Sequence, residues 1–110
     1  MEQKTLKFRN NLADLVTKGE KTTTWRLFDD KDLKEGDTVS LLRWDTKEKF
    51  GEAKILKVWE KTMGTLEDSD FDGHEKFETQ EEMYATYKKY YGERVNENSP
   101  VKIIQFKVLN

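Results

Sequence analysis

Hydrophobic and polar positions along the chain follow two alternating spacings, one typical of strands and one typical of helices. Residues 5–8 alternate, which predicts a short strand. Apolar positions between residues 12 and 16 then recur at helical spacing, and Asn10 or Asn11 can cap that helix at its start. Gly19 can end it, because glycine readily takes the positive φ that often follows a helix. The chain therefore begins with a predicted strand and a short helix.

Four further segments predict strands. Residues 22–26 are rich in β-branched and aromatic side chains, which favour extended backbone. Residues 37–44 and 50–62 alternate, and the short polar stretch 45–47 between them predicts a hairpin. Residues 101–109 form the last alternating run. With the first strand, these segments make five.

A second helix is predicted near the end of the chain. Thr79 is followed three residues later by Glu82, which is the spacing of a capping box. The apolar side chains that then recur at helical spacing, and that we expect to pack against the sheet, are Met83, Tyr87, Tyr90 and Tyr91. Gly92 stops this helix. Strands mixed with helices in this order predict an α+β fold of about five strands with two or three helices, in which a small, curved, partly closed sheet would protect the strand edges.

Composition narrows the function classes. The 110 residues predict one domain over 1–110, which we expect to be a monomer. The absence of cysteine excludes disulfides, thiolate zinc sites and cysteine nucleophiles. His74 has no neighbouring histidine or cysteine, so we expect a surface histidine, no metal site and no cofactor. No signal peptide and no apolar run long enough for a membrane span are evident, which predicts a cytoplasmic protein without a membrane partner.

Charge is unevenly distributed along the chain. Residues 65–82 contain eight of the 22 acidic residues and one of the 20 basic residues, Lys76. A mildly basic body therefore carries one acidic segment, although the net charge is −2. The segment suits a solvated acidic loop and helix start, or a surface that binds another protein.

The densest group of candidate functional side chains lies between residues 21 and 26. Alternate residues of a strand share one face, so Thr22, Thr24 and Arg26 should point the same way, with Lys21 in the turn beside them. Hydroxyl groups and cations on one surface can hold a phosphate or the polar edge of a base. The same side chains also suit a polar strand that faces solvent, and these residues alone leave both interpretations open.

A resemblance to a known family gives this segment a more specific meaning. The pattern G-x-K-T-x-T-x-R over residues 19–26, followed by L-x-x-G-D-x-V over residues 33–39, resembles the signature of the ASCH family. The resemblance extends over nearly the whole chain. It implies a PUA-like β-barrel that binds RNA or a modified nucleoside, with the ligand held by Gly19, Lys21, Thr22, Arg26 and Arg43.

The resemblance also implies an alternative, enzymatic function. One small branch of the family hydrolyses N-acetylcytidine to cytidine and acetate with a lysine, a threonine and a glutamate. The matching residues here are Lys21 as base, Thr24 as nucleophile, and Glu75 as acid or orienting group, with Glu78 as a second choice for the glutamate. A lysine can be such a base only where burial or nearby cations lower its pKa.

Two tryptophans adjoin these residues. Trp25 lies inside the motif and can either stack on a base or pack in the core. Trp44 follows Arg43 at the end of the next predicted strand, where core packing is the simpler expectation. The sequence thus predicts an ASCH-type binding module, with an amidohydrolase and a protein-interaction domain as alternatives.

Overall fold

Five strands form one mixed sheet in the computed structural model of this protein, which describes residues 4–28, 31–74 and 76–109. The strands are β1 (Lys4–Phe8), β2 (Thr23–Leu27), β3 (Thr38–Arg43), β4 (Lys49–Thr62) and β5 (Pro100–Leu109). Their order across the sheet is β1-β3-β4-β5-β2. β1 runs parallel to β3, and the other neighbouring pairs are antiparallel.

The long strand β4 gives the sheet its curvature. It pairs with β3 on one side and with β5 along most of its length on the other. The register against β5 shifts between Ile55 and Lys57, which marks a β-bulge. A bulge bends a strand and increases its twist, so the sheet wraps into a half-barrel. The predicted β3–β4 hairpin and the α+β, PUA-like fold class are confirmed.

Two α-helices connect the strands, α1 (Asn10–Thr17) and α2 (Gln80–Tyr91). The hydroxyl of Thr79 accepts the Glu82 amide at 3.1 Å, which confirms the predicted cap. Short 3-10 turns lie at Met63–Thr65 and Asp68–Phe71. Neither α-helix within the described ranges is long and apolar enough to cross a membrane.

The predicted cap of α1 is wrong. The N-cap residue is Arg9, and both asparagines lie inside the helix. The Asn10 side chain is engaged elsewhere, since its amide donates to the Asp45 carboxylate at 2.9 Å and its oxygen accepts from Arg43 at 3.3 Å. This side chain therefore ties α1 to the end of β3.

Two hydrophobic clusters lie on opposite faces of the sheet. The first includes Phe8, Val16 and Ile104 and is covered by α1. The second includes Trp25 and Ile103 and is covered by α2. Adjacent residues of β5 thus enter different clusters, as strand alternation requires. β1 and β2 bring the two clusters together, and a cavity lies where these strands meet.

Candidate functional site

A cavity of about 120 Å³ lies where β1, β2, the start of α1 and the end of α2 meet. We call it the inner cavity. Its lining residues are Lys7, Phe8, Arg9, Leu12, Lys21, Thr24, Trp25, Arg26, Trp44, Tyr87, Tyr90 and Tyr91. Three residues of the predicted motif therefore share one cavity with aromatic and basic residues from distant parts of the chain.

The carbonyl group of Gly73 helps to hold the start of β2 in place. Gly73, in the acidic segment, accepts the amides of Thr22 and Thr23 at 2.9 and 3.0 Å. The φ of Gly73 is +74°, a conformation that favours glycine. The acidic segment thus fixes where the motif enters the sheet.

Lys21 and Thr24 are the two buried polar side chains of the motif that line the inner cavity. Lys21 is 3% exposed and Thr24 is 4% exposed. The Lys21 ammonium group donates to the carbonyl oxygen of Thr23 at 2.9 Å. A buried amine and a buried hydroxyl therefore lie on one wall of the cavity.

Two nitrogen atoms of the Arg26 side chain lack a hydrogen-bond acceptor among the described residues. Its Nε and Nη2 atoms are buried and make no hydrogen bond within the described part of the chain. The guanidinium group lies 4.8 Å from the Phe8 ring, which offers only its π face. Buried polar groups without partners are uncommon in proteins and often mark a site for water or a ligand.

Stacked aromatic rings support the floor of the cavity. Trp25 stacks on His74 at 4.0 Å and on Tyr87 at 5.6 Å between ring centroids. The Nε2 atom of His74 is 3.1 Å from the Tyr87 hydroxyl. The expectation of a surface histidine is wrong, because His74 of the acidic segment is buried against Trp25 of β2 and Tyr87 of α2. Of the two roles considered for Trp25, core packing is confirmed; its ring also lines the cavity, and stacking on a base stays a prediction.

A second, wider depression adjoins the inner cavity, and we call it the outer groove. It measures about 390 Å³ and shares Lys7, Arg26, Trp44 and Tyr91 with the inner cavity. Trp44 stands at this junction with 44% of its surface exposed. The expectation that Trp44 packs in the core is therefore wrong. The centre of its ring lies 5.5 Å from the ammonium group of Lys7 and 5.6 Å from the guanidinium group of Arg9.

Asp70 anchors the acidic segment behind Trp25. Its carboxylate accepts from Lys61 at 2.7 Å, from the Glu67 amide at 2.8 Å and from the Trp59 indole at 3.0 Å. Its carbonyl oxygen accepts from the Trp25 indole at 3.2 Å. Burial by itself would raise the pKa of Asp70, but the hydrogen bonds from Lys61, Glu67 and Trp59 hold that pKa below its ordinary value. The hydrogen bond to Asp70 correspondingly raises the pKa of Lys61.

No protein-family model matches the sequence, and no curated protein matches it. Solved structures do match. Protein EF3133 from Enterococcus faecalis V583, of family DUF984, superposes with a TM-score of 0.78 over 99% of this chain and 82% of its own, at 18% identity. The ASCH domain from Lactobacillus crispatus JV V101 gives a TM-score of 0.68 over 90% of this chain and 70% of its own, at 18% identity. ASCH from Zymomonas mobilis gives a TM-score of 0.65 over 94% of this chain and 65% of its own, at 14% identity.

The chain has the fold of the ASCH domain. The resemblance predicted from residues 19–39 is thus confirmed at the level of fold. Within this ASCH fold, Lys21, Thr24 and Arg26 come together in the inner cavity. Glu75, the predicted catalytic glutamate, lies outside the described residues.

The structure places the other predicted binding residues elsewhere. Gly19 and Thr22 border a separate depression beside β5, and Thr22 is exposed. Arg43 does not line the inner cavity, because its guanidinium group pairs with Asp14 at 3.0 Å and bonds Asn10. Among the described residues, no group of three or more histidine or acidic side chains is arranged to hold a metal ion.

Several cavity residues were not predicted as functional. Lys7 and Arg9 come from the first strand and the helix start, and Tyr90 and Tyr91 were expected only to pack against the sheet. The sequence does contain a feature that could have predicted Lys7 and Arg9 as neighbours. They are two residues apart, and such residues lie on one face of an extended segment. Nothing in the spacing of the tyrosines distinguishes a cavity wall from a packed helix face.

Proposed function

We propose that this protein binds a nucleoside, free or as one unit of an RNA, with the base inserted in the inner cavity. The observation that carries the proposal is the combination of buried donors and aromatic walls in one small cavity. Lys21, Thr24 and the unbonded nitrogens of Arg26 supply the polar groups, and the half-buried Tyr90 and Tyr91 supply ring surface. Such a site has the apolar lining and few convergent polar groups that are typical of small-ligand sites.

The size of the cavity favours a single ring. An engineered protein cavity of about 150 Å³ accepts benzene, and the inner cavity measures about 120 Å³. Sites for drug-sized ligands are larger, at roughly 300 Å³ or more. A pyrimidine base therefore suits the inner cavity, while its sugar would extend toward the outer groove.

The hydrogen-bonding groups favour a ligand with several acceptor atoms. Lysine and arginine side chains only donate, and a threonine hydroxyl can donate or accept. The Watson–Crick edge of cytosine offers a carbonyl oxygen and a ring nitrogen as acceptors, beside one amino group as donor. Lys21 and Arg26 can serve the acceptors, and Thr24 can take either role. Stacking of a base on an aromatic side chain adds about 1–3 kcal/mol in other systems.

A matched pair of threonine variants tests this proposal. Thr24→Val removes the cavity hydroxyl and keeps the side-chain shape, whereas Thr22→Val makes the same change at an exposed site outside the cavity. Isothermal titration with cytidine and with N-acetylcytidine should show saturable binding by the wild type. We expect Thr24→Val to weaken it about tenfold, as the loss of one buried hydrogen bond implies, and Thr22→Val to leave it unchanged. Equal affinities for all three proteins, or no binding by the wild type, would refute the proposal.

One observation favours the amidohydrolase as a second candidate. Lys21 and Thr24 are both buried and both line the inner cavity. Burial is one condition under which a lysine can act as a base. In the proposed reaction Thr24 attacks the acetyl carbonyl of N-acetylcytidine, Lys21 takes the threonine proton, and Glu75 protonates or orients the leaving amine. Water then releases acetate from Thr24, so that N-acetylcytidine and water yield cytidine and acetate.

Turnover distinguishes the two candidates. A chromatographic assay of the wild type with N-acetylcytidine would show release of cytidine if the protein is a hydrolase. Lys21→Ala, Thr24→Val and Glu75→Gln should then each abolish turnover, while Lys18→Ala, which removes an exposed lysine from the end of α1, should not. Binding of N-acetylcytidine without turnover would leave the protein a binding module.

A further inference from the structure

We infer that the outer groove binds a phosphate group, so that the ligand of this protein is a nucleotide unit rather than a bare nucleoside. The inference rests on the proposed function, because it assumes that a base occupies the inner cavity. The two depressions share Lys7, Arg26, Trp44 and Tyr91, and a ligand can therefore extend from one into the other.

Charge around the two depressions is of one sign. The outer groove is lined by Lys7, Arg26, Lys31 and Arg94, and the inner cavity adds Arg9 and Lys21. No aspartate or glutamate of the described ranges lines either one. The chain as a whole carries a net charge of −2, so this region differs from the rest of the protein. A cleft of one sign concentrates ligands of the opposite charge.

Four of these cations, Lys7, Arg9, Arg26 and Arg94, form no ion pair with any described residue. The side chains of Lys7 and Arg9 make no hydrogen bond with any described residue, and neither do the buried Nε and Nη2 atoms of Arg26, while Arg94 donates to the Tyr91 carbonyl oxygen at 3.3 Å. Among the cations elsewhere, Arg43 is paired with Asp14 at 3.0 Å, whereas Lys54 and Lys57 form no ion pair with a described residue but are exposed to solvent on β4. Lys7, Arg9 and Arg26 differ from these exposed lysines because they are half-buried and lie at or beside the junction of the two depressions.

Aromatic rings rather than carboxylates hold these cations in place. The guanidinium group of Arg9 lies 4.5 Å from the Tyr90 ring centroid and 5.6 Å from that of Trp44. The ammonium group of Lys7 lies 5.5 Å from the same Trp44 ring. Cation–π contacts fix the position of a charge without neutralising it. The donors therefore remain available to an anion.

Phosphate is the anion that fits this arrangement. Guanidinium groups bind phosphate oxygens through two parallel hydrogen bonds, and such charge-assisted bonds are strong. A base in the inner cavity would carry its sugar and phosphate toward the groove of about 390 Å³. The phosphate can belong to a mononucleotide or to an RNA strand, and both present the same group.

The test is a comparison of affinities for ligands that differ in the phosphate. Isothermal titration at low salt would use cytidine, cytidine 5′-monophosphate, cytidine 3′-monophosphate and a short cytidine-containing oligoribonucleotide. We expect at least one monophosphate or the oligoribonucleotide to bind the wild type about tenfold more tightly than cytidine, as one charge-assisted contact implies. A monophosphate that binds as well as the oligoribonucleotide indicates a mononucleotide ligand, and a tighter oligoribonucleotide indicates an RNA strand.

Two double variants locate the effect. Lys7→Gln with Arg9→Gln removes two cations at the junction, and the ratio of nucleotide to nucleoside affinity should then fall toward one. Lys54→Gln with Lys57→Gln removes the same charge from exposed positions of β4, and the ratio should persist. Thermal unfolding of each variant verifies that it folds.

The possible failures are distinct. If cytidine binds but every phosphate-bearing ligand binds no more tightly, the phosphate inference is overturned and the proposed function stands. The inference is also overturned if both double variants lower the affinity ratio equally. If none of the four ligands binds the wild type, the proposed function fails and the inference fails with it.

Discussion

Gly73 is the residue that connects the acidic segment to the functional strand. Its carbonyl oxygen accepts from Thr22 and Thr23, and its φ of +74° favours glycine. A Cβ atom at this position would overlap the Thr22 hydroxyl and approach that of Thr23 to 3.0 Å. The start of β2, and hence the placement of Lys21, depends on the absence of that side chain.

Replacing Gly73 by alanine should therefore both destabilise the protein and impair the site. Gly36→Ala is the matched control, because Gly36 has a φ of +87° with no atom within 4 Å of an added Cβ. We expect Gly36→Ala to cost about 1 kcal/mol of unfolding free energy through backbone conformation. Gly73→Ala should cost about 3 kcal/mol because overlap is added, and it should weaken cytidine binding. Denaturant unfolding measures the loss of unfolding free energy, and titration calorimetry measures the affinity for cytidine. Equal losses in the two variants would show that the overlap is relieved at little cost.

At the scale of single residues, the sequence predicted some of the cavity residues and missed the burial of His74. The motif residues Lys21, Thr24 and Arg26 meet in one cavity, whereas Thr22, which the spacing placed on the same face as Thr24 and Arg26, lies outside it. His74 was assigned to the surface, because a lone histidine in an acidic stretch has no sequence feature that signals burial. Its environment is created by rings distant in sequence, Trp25 and Tyr87. Local pattern cannot reveal such a contact.

At the scale of elements, the acidic segment is partly structural. The sequence predicted a solvated loop or a protein-binding surface. Asp70 instead is 2% exposed and joins the segment to β4 through Lys61 and Trp59. Counting charges cannot show which carboxylate of a segment turns inward. Any test of partner binding by this segment should therefore spare Asp70 and alter exposed carboxylates such as Asp68.

The Asp70 network makes a specific prediction about pH. Its pKa in the folded protein is below the ordinary value of 3.8, so the unfolded chain takes up the proton first as the pH falls. The stabilisation by Asp70 is therefore complete well above pH 3.8 and is lost as the pH falls through the lower folded-state value.

Asp70→Asn should consequently destabilise the protein most near pH 6, by about 2 kcal/mol since a buried acceptor of three hydrogen bonds is altered. The difference from wild type should shrink as the pH is lowered below 3.8. Urea unfolding from pH 6 to pH 2.5 measures the trend, and Asp68→Asn, an exposed neighbour, provides the control. A difference that stays constant with pH would contradict the role given to the Asp70 charge.

At the scale of the whole molecule, element identity followed from the sequence more readily than topology. All five strands and both helices were predicted close to their observed positions. Periodicity does not specify that β1 lies parallel to β3 or that β2 lies at the far edge beside β5. The family resemblance supplied the barrel, and the matching ASCH structures confirm it as a fold.

The site depends on that topology. β1 and β2 are the two edge strands of the sheet order, and curvature of the half-barrel brings both to one cavity with α2. Lys7, Arg26 and Tyr91 are distant in sequence yet line the same space. The basic and aromatic character of the cavity was therefore beyond a residue-by-residue interpretation of the motif.

The central claim is that a base occupies the inner cavity, and the three tryptophan indole signals test it most directly. Trp25 lines the cavity and Trp44 stands at its mouth, whereas the Trp59 indole bonds Asp70 and lines neither the inner cavity nor the outer groove. In a ¹H–¹⁵N correlation spectrum recorded during a titration with cytidine, the Trp25 and Trp44 indole signals should move together and saturate, while the Trp59 signal moves far less. Unchanged Trp25 and Trp44 signals at saturating cytidine, or a shift largest at Trp59, would contradict the account.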